Sequence, residues 1–105
     1  MLKIYGSGMC PECAAFKYNL ERNNIEYEFN DITGNLNSLK EFMRLRDKDE
    51  TFNYAKENGY IGIPAIIADD GSLSIDWENY LFERGIETVN PGEEGAACAV
   101  DGKSC

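Results

Sequence analysis

The spacing of apolar and polar positions along the chain predicts seven secondary-structure elements. Apolar residues recur at the helical period in three segments, whereas four shorter segments are continuously apolar or alternate strictly, as strands do. The predicted strands span residues 2–5, 25–30, 62–68 and 73–75, and the predicted helices span 11–22, 36–59 and 77–84, the second with a bend at the charged run 46–50. This order predicts an α/β fold with a four-stranded mixed sheet and three helices.

The composition changes near residue 85. Residues 1–85 carry the whole pattern of predicted elements and are assigned to one domain, a size that supports a single core. The stretch 91–97 is rich in Gly, Glu and Ala and has little to bury. Residues 86–105 are therefore predicted to form a flexible tail, which contains Cys98 and Cys105.

The charge and the apolar runs narrow the classes of partner. A net charge of −9, from 19 acidic against 10 basic residues, argues against nucleic acid or an anionic membrane surface as a partner. No apolar run approaches the ~20 residues of a membrane span, and the start lacks the core of a signal peptide. The expected location is the cytoplasm, where four cysteines favour redox or metal-binding roles over structural disulfides.

Two of the cysteines lie in the motif Cys10-Pro11-Glu12-Cys13, at the predicted turn from the first strand into the first helix. Amide hydrogens without intrahelical partners and the partial positive charge of a helix start both favour an anion such as a thiolate. We therefore expect thiol chemistry, with Cys10 as the more acidic thiol. The negative charge of Glu12 opposes this effect with a comparable magnitude.

The motif resembles the active site of glutaredoxins, within the thioredoxin fold. The Cys-Pro-x-Cys sequence after the first strand, the order of the elements, and Gly62-Ile63-Pro64 at the start of the third strand match that family over roughly residues 1–85. The stretch from Gly59 to Pro64 also resembles a bacterial group of glutaredoxin-related proteins.

The resemblance implies a role for each matching residue. Cys10 would be the nucleophile that attacks a substrate disulfide, and Cys13 the thiol that resolves the mixed disulfide. Pro64 would be a cis-proline opposite Cys10, which leaves the backbone of Ile63 free to pair with a bound peptide or glutathione. Pro11, Ile63, Pro64 and Asp76 are thus the candidate substrate-binding residues.

The resemblance also implies the partners. A disulfide-containing protein or small molecule would be the substrate, and glutathione or a flavin-dependent reductase the electron donor, with no tightly bound cofactor. The segment 73–77 lacks the glycine pair with which family members that use glutathione hold the tripeptide. Asp76 is the only matching position there, and a role as a helix cap is favoured over a contact with a ligand. The donor therefore stays open between the two.

Three alternatives remain open at this point. The same cysteines would serve a zinc or iron–sulfur carrier, although the six residues between Cys98 and Cys105 exceed the usual spacing of a zinc knuckle. A second alternative is a redox-sensing interaction module that turns over disulfide substrates at a negligible rate. Cys98 and Cys105 are either an auxiliary redox pair that exchanges electrons with Cys10 and Cys13 or incidental thiols of a polar tail.

Overall fold

The computed structural model describes residues 1–89, which form an α/β fold. The elements are β1 (Leu2–Gly6), α1 (Pro11–Arg22), β2 (Tyr27–Asp31), α2 (Leu36–Lys48), a 3-10 turn (Glu50–Phe52), α3 (Asn53–Glu57), β3 (Ala65–Ile67), β4 (Leu73–Ser74) and α4 (Trp77–Glu83). The four strands form one sheet in the order β2-β1-β3-β4. β1 and β2 are parallel, whereas β3 is antiparallel to both β1 and β4. The predicted mixed sheet of four strands is confirmed.

The predicted number of helices is wrong, because the second of the three predicted helices is two separate helices. Residues 1–89 contain four α-helices, with the 3-10 turn between α2 and α3. At Asp49 the backbone is extended, with φ −96° and ψ 128°, and its carboxylate accepts a hydrogen bond from the Thr51 amide. An aspartate that bonds its own neighbouring backbone in this way competes with the helix. Asp49, within the charged run, thus ends α2 and caps the 3-10 turn that follows.

β3 is shorter than the predicted strand. Only residues 65–67 pair with β1, because Pro64 has no amide hydrogen for the ladder and Gly62 adopts a φ of +96°. A Cβ atom at Gly62 would also lie 2.8 Å from the Phe52 ring. This position therefore requires glycine on two independent grounds.

The sheet separates two groups of buried side chains. Along β1, Leu2 and Ile4 point to one face and Tyr5 belongs to the other group, as the period of two in a strand requires. The first group contains Phe16 and Leu20 of α1 together with Trp77, Tyr80 and Leu81 of α4. The second contains Ile32, Phe42, Phe52 and Ala65. Helices therefore cover both faces, with α1 and α4 on one side and α2 on the other.

Contacts of the domain extend beyond residue 85. Ile86 packs against the first group of core residues. The fully buried amide of Asn19, in α1, donates to the Val89 carbonyl and accepts from the Val89 amide, at 2.8 and 2.9 Å. The prediction of a flexible tail otherwise falls on residues 90–105, which lie outside the described part of the chain.

Among residues 1–89, no helix has both the length and the apolar character needed to cross a bilayer.

Candidate functional site

Cys10 caps the N-terminus of α1. Its backbone is extended and its amide donates to the Ser7 carbonyl at 3.2 Å, which closes the turn that follows β1. Its Sγ accepts a hydrogen bond from the Cys13 amide at 3.1 Å. The sulfur thus takes the place of the Ser or Asp oxygen that usually caps a helix. Negative charge on this sulfur would face an amide hydrogen and the positive end of the helix dipole.

Cys13 lies one turn further on and has a different environment. Its side chain is 1% exposed, whereas that of Cys10 is partly exposed. Burial, followed by the interaction with Cys10, raises the pKa of the Cys13 thiol far above its ordinary value. In the reduced protein Cys13 is therefore a neutral thiol at physiological pH, and Cys10 is the thiol that solvent reaches.

Gly6, the last residue of β1, makes room for the buried sulfur. A Cβ atom at this position would lie 2.8 Å from Cys13 Sγ and 3.0 Å from the Phe29 ring. Any other residue would overlap the sulfur. Because glycine has no Cβ atom, β1 and α1 can approach each other closely at this position.

The segment before β3 flanks the dithiol on one side. Ala65 pairs with Tyr5, so that Pro64, one step further along an antiparallel ladder, lies opposite Gly6. The Ile63–Pro64 peptide bond is cis, in agreement with the expectation from the resemblance. The structure therefore brings Cys10, Cys13 and Pro64 to the same end of the sheet.

A polar network holds the thiol loop from the other side. The Met9 amide donates to Ser7 Oγ at 3.1 Å, and Ser7 Oγ lies 2.9 Å from Thr33 Oγ1. Because the Thr33 hydroxyl donates its hydrogen to Asp31 Oδ1 at 2.6 Å, the Ser7 hydroxyl is the donor to Thr33. The hydroxyl and amide of Thr33 also hold the pKa of the Asp31 carboxyl below its ordinary value. This network ends on a charged carboxylate, which strengthens each bond along it.

A groove of about 310 Å³ runs beside the dithiol motif. Its acidic residues are Glu12, from the motif itself, and Asp76 and Glu78, at the start of α4. Its apolar and aromatic lining consists of Tyr54, Ala55, Tyr60, Gly62, Ile63, Ile75 and Trp77. The candidate residues Ile63 and Asp76 therefore lie together in one groove with Glu12.

Two of the groove carboxylates are held in place. The Trp77 indole Nε1–H donates to Glu12 Oε1 at 3.2 Å, which joins the motif to α4. Asp76 is the N-cap of α4 and accepts from the Asn79 amide at 3.1 Å. The predicted capping role of Asp76 is thus confirmed, and the residue lines the groove as well.

Arg46 fixes the loop that leads to Pro64. Its guanidinium donates to the carbonyls of Tyr60 and Ile61 at 2.8 and 2.9 Å. Two donors from one planar group fix the direction of both carbonyls. The sequence pattern does not signal these contacts, because they join residues 14 and 15 positions apart.

The remaining candidate residues either do not line the groove or lie outside the described residues. Pro11 is exposed at the first position of α1, where a proline costs no hydrogen bond. Cys98 and Cys105 lie outside residues 1–89. Within those residues, no group of three or more Cys, Asp or Glu side chains is arranged to hold a metal ion. A larger cleft of about 600 Å³, near Met1, Asp69 and Arg84, contains neither thiol.

Comparison with known proteins connects the chain to one relative. An uncharacterized protein of Haemophilus influenzae is 40% identical over 73 residues, which cover 70% of this chain and 85% of the relative. The two proteins belong to one family. No protein-family model matches the chain, and no solved structure matches it. The printed name of the relative states no activity, so the function has to be argued from the site.

Proposed function

We propose that this protein is a glutaredoxin-like thiol–disulfide oxidoreductase with a thioredoxin-type fold. The parallel β1–α1–β2 unit, the antiparallel β3–β4 pair followed by α4, and the dithiol at the start of α1 support this proposal. Because one fold hosts many activities, the function is argued from the two thiols themselves.

The inequality of the two thiols is the observation that carries the proposal. Cys10 is accessible and has an amide hydrogen directed at its sulfur, whereas Cys13 is buried and its pKa is raised by that burial. Disulfide exchange needs one thiol that attacks as the thiolate and a second that stays protected until the first has reacted. A metal-binding pair has no need of such inequality, since both sulfurs would coordinate as thiolates.

The reaction would proceed in two exchanges. The Cys10 thiolate attacks one sulfur of the substrate disulfide, which forms a mixed disulfide and releases the other substrate sulfur as a thiolate that takes a proton from water. Cys13 then loses its proton to water and attacks Cys10 Sγ. This step forms the Cys10–Cys13 disulfide and releases the second substrate thiol. The substrate gains two electrons, and the protein dithiol loses them.

An external thiol must then reduce the Cys10–Cys13 disulfide. Glutathione and a flavin-dependent reductase are the two proposed donors, acting in the cytoplasm. Cys98 and Cys105 are proposed as an auxiliary pair, on the grounds of sequence alone.

A disulfide-reduction assay tests the proposal. The full chain is assayed with glutathione plus its reductase, with thioredoxin reductase and with dithiothreitol, against the variants Cys10→Ser and Cys13→Ser. We expect Cys10→Ser to lose activity, and Cys13→Ser to accumulate a mixed disulfide that mass spectrometry detects. The double variant Cys98→Ser/Cys105→Ser measures the contribution of the second pair.

Two results would contradict the proposal. One is full activity of Cys10→Ser, and the other is a rate of reduction that does not exceed the protein-free rate with any of the three donors. Anaerobic purification with a metal count addresses the carrier alternative. Iron or zinc bound in stoichiometric amounts and lost in Cys10→Ser would favour a carrier over an oxidoreductase.

A further inference from the structure

We propose that the groove beside the dithiol motif, which Glu12 of that motif lines, binds positively charged polypeptide segments, so that the protein selects disulfides in basic proteins over glutathione disulfide. This inference rests on the proposed oxidoreductase function and names its class of substrate.

The charge of the groove is the first argument. Three of its lining residues are acidic, Glu12, Asp76 and Glu78, and among residues 1–89 none that lines it is basic. Each glutathione unit carries two carboxylates and one ammonium group at neutral pH, so its disulfide is a dianion. The groove would repel this dianion and attract a segment rich in Lys or Arg.

The second argument is that two of the three acidic groups are held in place by hydrogen bonds. The Glu12 carboxylate is held by the Trp77 indole, and the Asp76 carboxylate is held at the N-cap of α4. Charges that are already in place lose little side-chain entropy when a partner binds. Glu12 belongs to the same motif as Cys10, so that a cation bound at its carboxylate would lie on the first turn of the helix that Cys10 caps.

Aromatic residues supply a complementary surface. Tyr54 and Tyr60 line the groove with 65% and 57% of their surfaces exposed, and their rings lie 6.1 Å apart. Exposed tyrosine faces attract ammonium and guanidinium groups, while Ile63 and Trp77 offer apolar surface to the methylene stems of Lys and Arg. The groove thus matches both parts of a long basic side chain.

The test compares two synthetic peptides in a single turnover. Both contain the same intramolecular disulfide, flanked by lysines in one and by glutamates in the other. Pre-reduced full-length protein is mixed with each peptide, the reaction is quenched with acid and alkylated, and reduced peptide is measured by mass spectrometry. We expect the basic peptide to react about tenfold faster at low salt, as for electrostatic steering into a charged cleft. At about 1 M salt, where screening acts within ~3 Å, the ratio is expected to approach one.

Matched variants separate the groove from the overall charge of the protein. The groove variant carries Glu12→Gln, Asp76→Asn and Glu78→Gln, whose amide oxygens keep the bond from Trp77 and the helix cap. The control variant carries Asp47→Asn, Glu83→Gln and Glu87→Gln at exposed positions outside the groove. Both raise the net charge equally. We expect the groove variant to lose most of the peptide preference and the control variant to keep it.

Each outcome decides one of the two proposals. Equal rates for the two peptides, or an equal loss of preference in the two variants, would overturn the inference and leave the oxidoreductase in place. Failure of the wild-type protein to reduce either peptide, while dithiothreitol reduces both, would overturn the function itself. Urea unfolding checks that the groove variant is folded. If it is not folded, the single variant Glu78→Gln is compared with wild type for its peptide preference. Glu78 takes part in neither the Trp77–Glu12 bond nor the Asn79–Asp76 bond.

Discussion

Replacement of Gly6 by alanine would place a methyl group against the buried thiol. The added Cβ would lie 2.8 Å from Cys13 Sγ, about 0.6 Å short of ordinary contact at 3.4 Å, and 3.0 Å from the Phe29 ring. Both neighbours would have to move within a packed region. Overpacking of this kind typically costs ~1–3 kcal/mol of the free energy of unfolding. For a domain of this size that is a fall in Tm of roughly 5–20 °C.

The assay for Gly6→Ala is urea unfolding of the reduced protein, in a double-mutant cycle with Cys13→Ala. Removal of Sγ makes room for the new methyl group, so Gly6→Ala should cost at least about 1 kcal/mol less in the Cys13→Ala background. Gly8→Ala is the matched control in the same loop, since its Cβ would meet its nearest neighbour at an ordinary 3.7 Å. We expect this control to change stability by less than ~0.5 kcal/mol.

Two results would refute the reasoning about Gly6. Additive effects of Gly6→Ala and Cys13→Ala, within about 0.5 kcal/mol, would show that the sulfur is not the obstacle. An equal cost for Gly8→Ala would show that any methyl group in this loop is harmful. Under the proposed oxidoreductase function, Gly6→Ala should also prolong the mixed disulfide, because the Cys13 sulfur that would attack it is displaced.

Further predictions concern three residues around the site. Arg46→Ala should cost about 1 kcal/mol by urea unfolding, since two carbonyls lose their donor, and should raise KM more than it lowers kcat in the peptide assay; equal effects on both would argue against a positioning role. The free energy of unfolding of the reduced protein should be insensitive to the Cys13 thiol below its ordinary pKa of 9.0 and should fall as pH rises above it, because only the unfolded thiol ionises there. Cys13→Ala should remove this component of a pH-dependent urea titration, and an unchanged slope would contradict the raised pKa. Asp76→Ala should cost ~0.5–2 kcal/mol and Asp76→Asn far less, since Asn also caps α4; equal losses would exclude the cap as the cause.

Sequence reasoning located the features that depend on neighbours along the chain. α1 begins at Pro11 and ends at Arg22 as predicted, and Gly59 and Gly85 both adopt a positive φ at helix ends. The position of the dithiol motif at the N-terminus of this helix was predictable, because the strand, the turn and the helix are each indicated by residues close together in the sequence.

Contacts between distant segments escaped sequence reasoning. The bond from Trp77 to Glu12 joins residues 65 positions apart, and Arg46 reaches the loop before Pro64. A bend at residues 46–50 was predicted, but not that it separates two helices, because the helical pattern does not reveal that the Asp49 carboxylate accepts a hydrogen bond from the Thr51 amide. The acidic groove is lined by residues from three separate stretches of the chain, which no local pattern brings together.

The bonds between Asn19 and Val89 extend the folded unit past residue 85. A chain cut after residue 85 would leave the Asn19 carbonyl oxygen, and one hydrogen of its amide, without the partners that Val89 provides inside a closed interior. Such a loss costs roughly 1–3 kcal/mol, on top of the apolar surface of Ile86. By this energetic criterion the autonomous folding unit includes Val89, four residues past the boundary suggested by composition. Recombination or truncation that respects the unit must therefore keep α1 and this distant segment together.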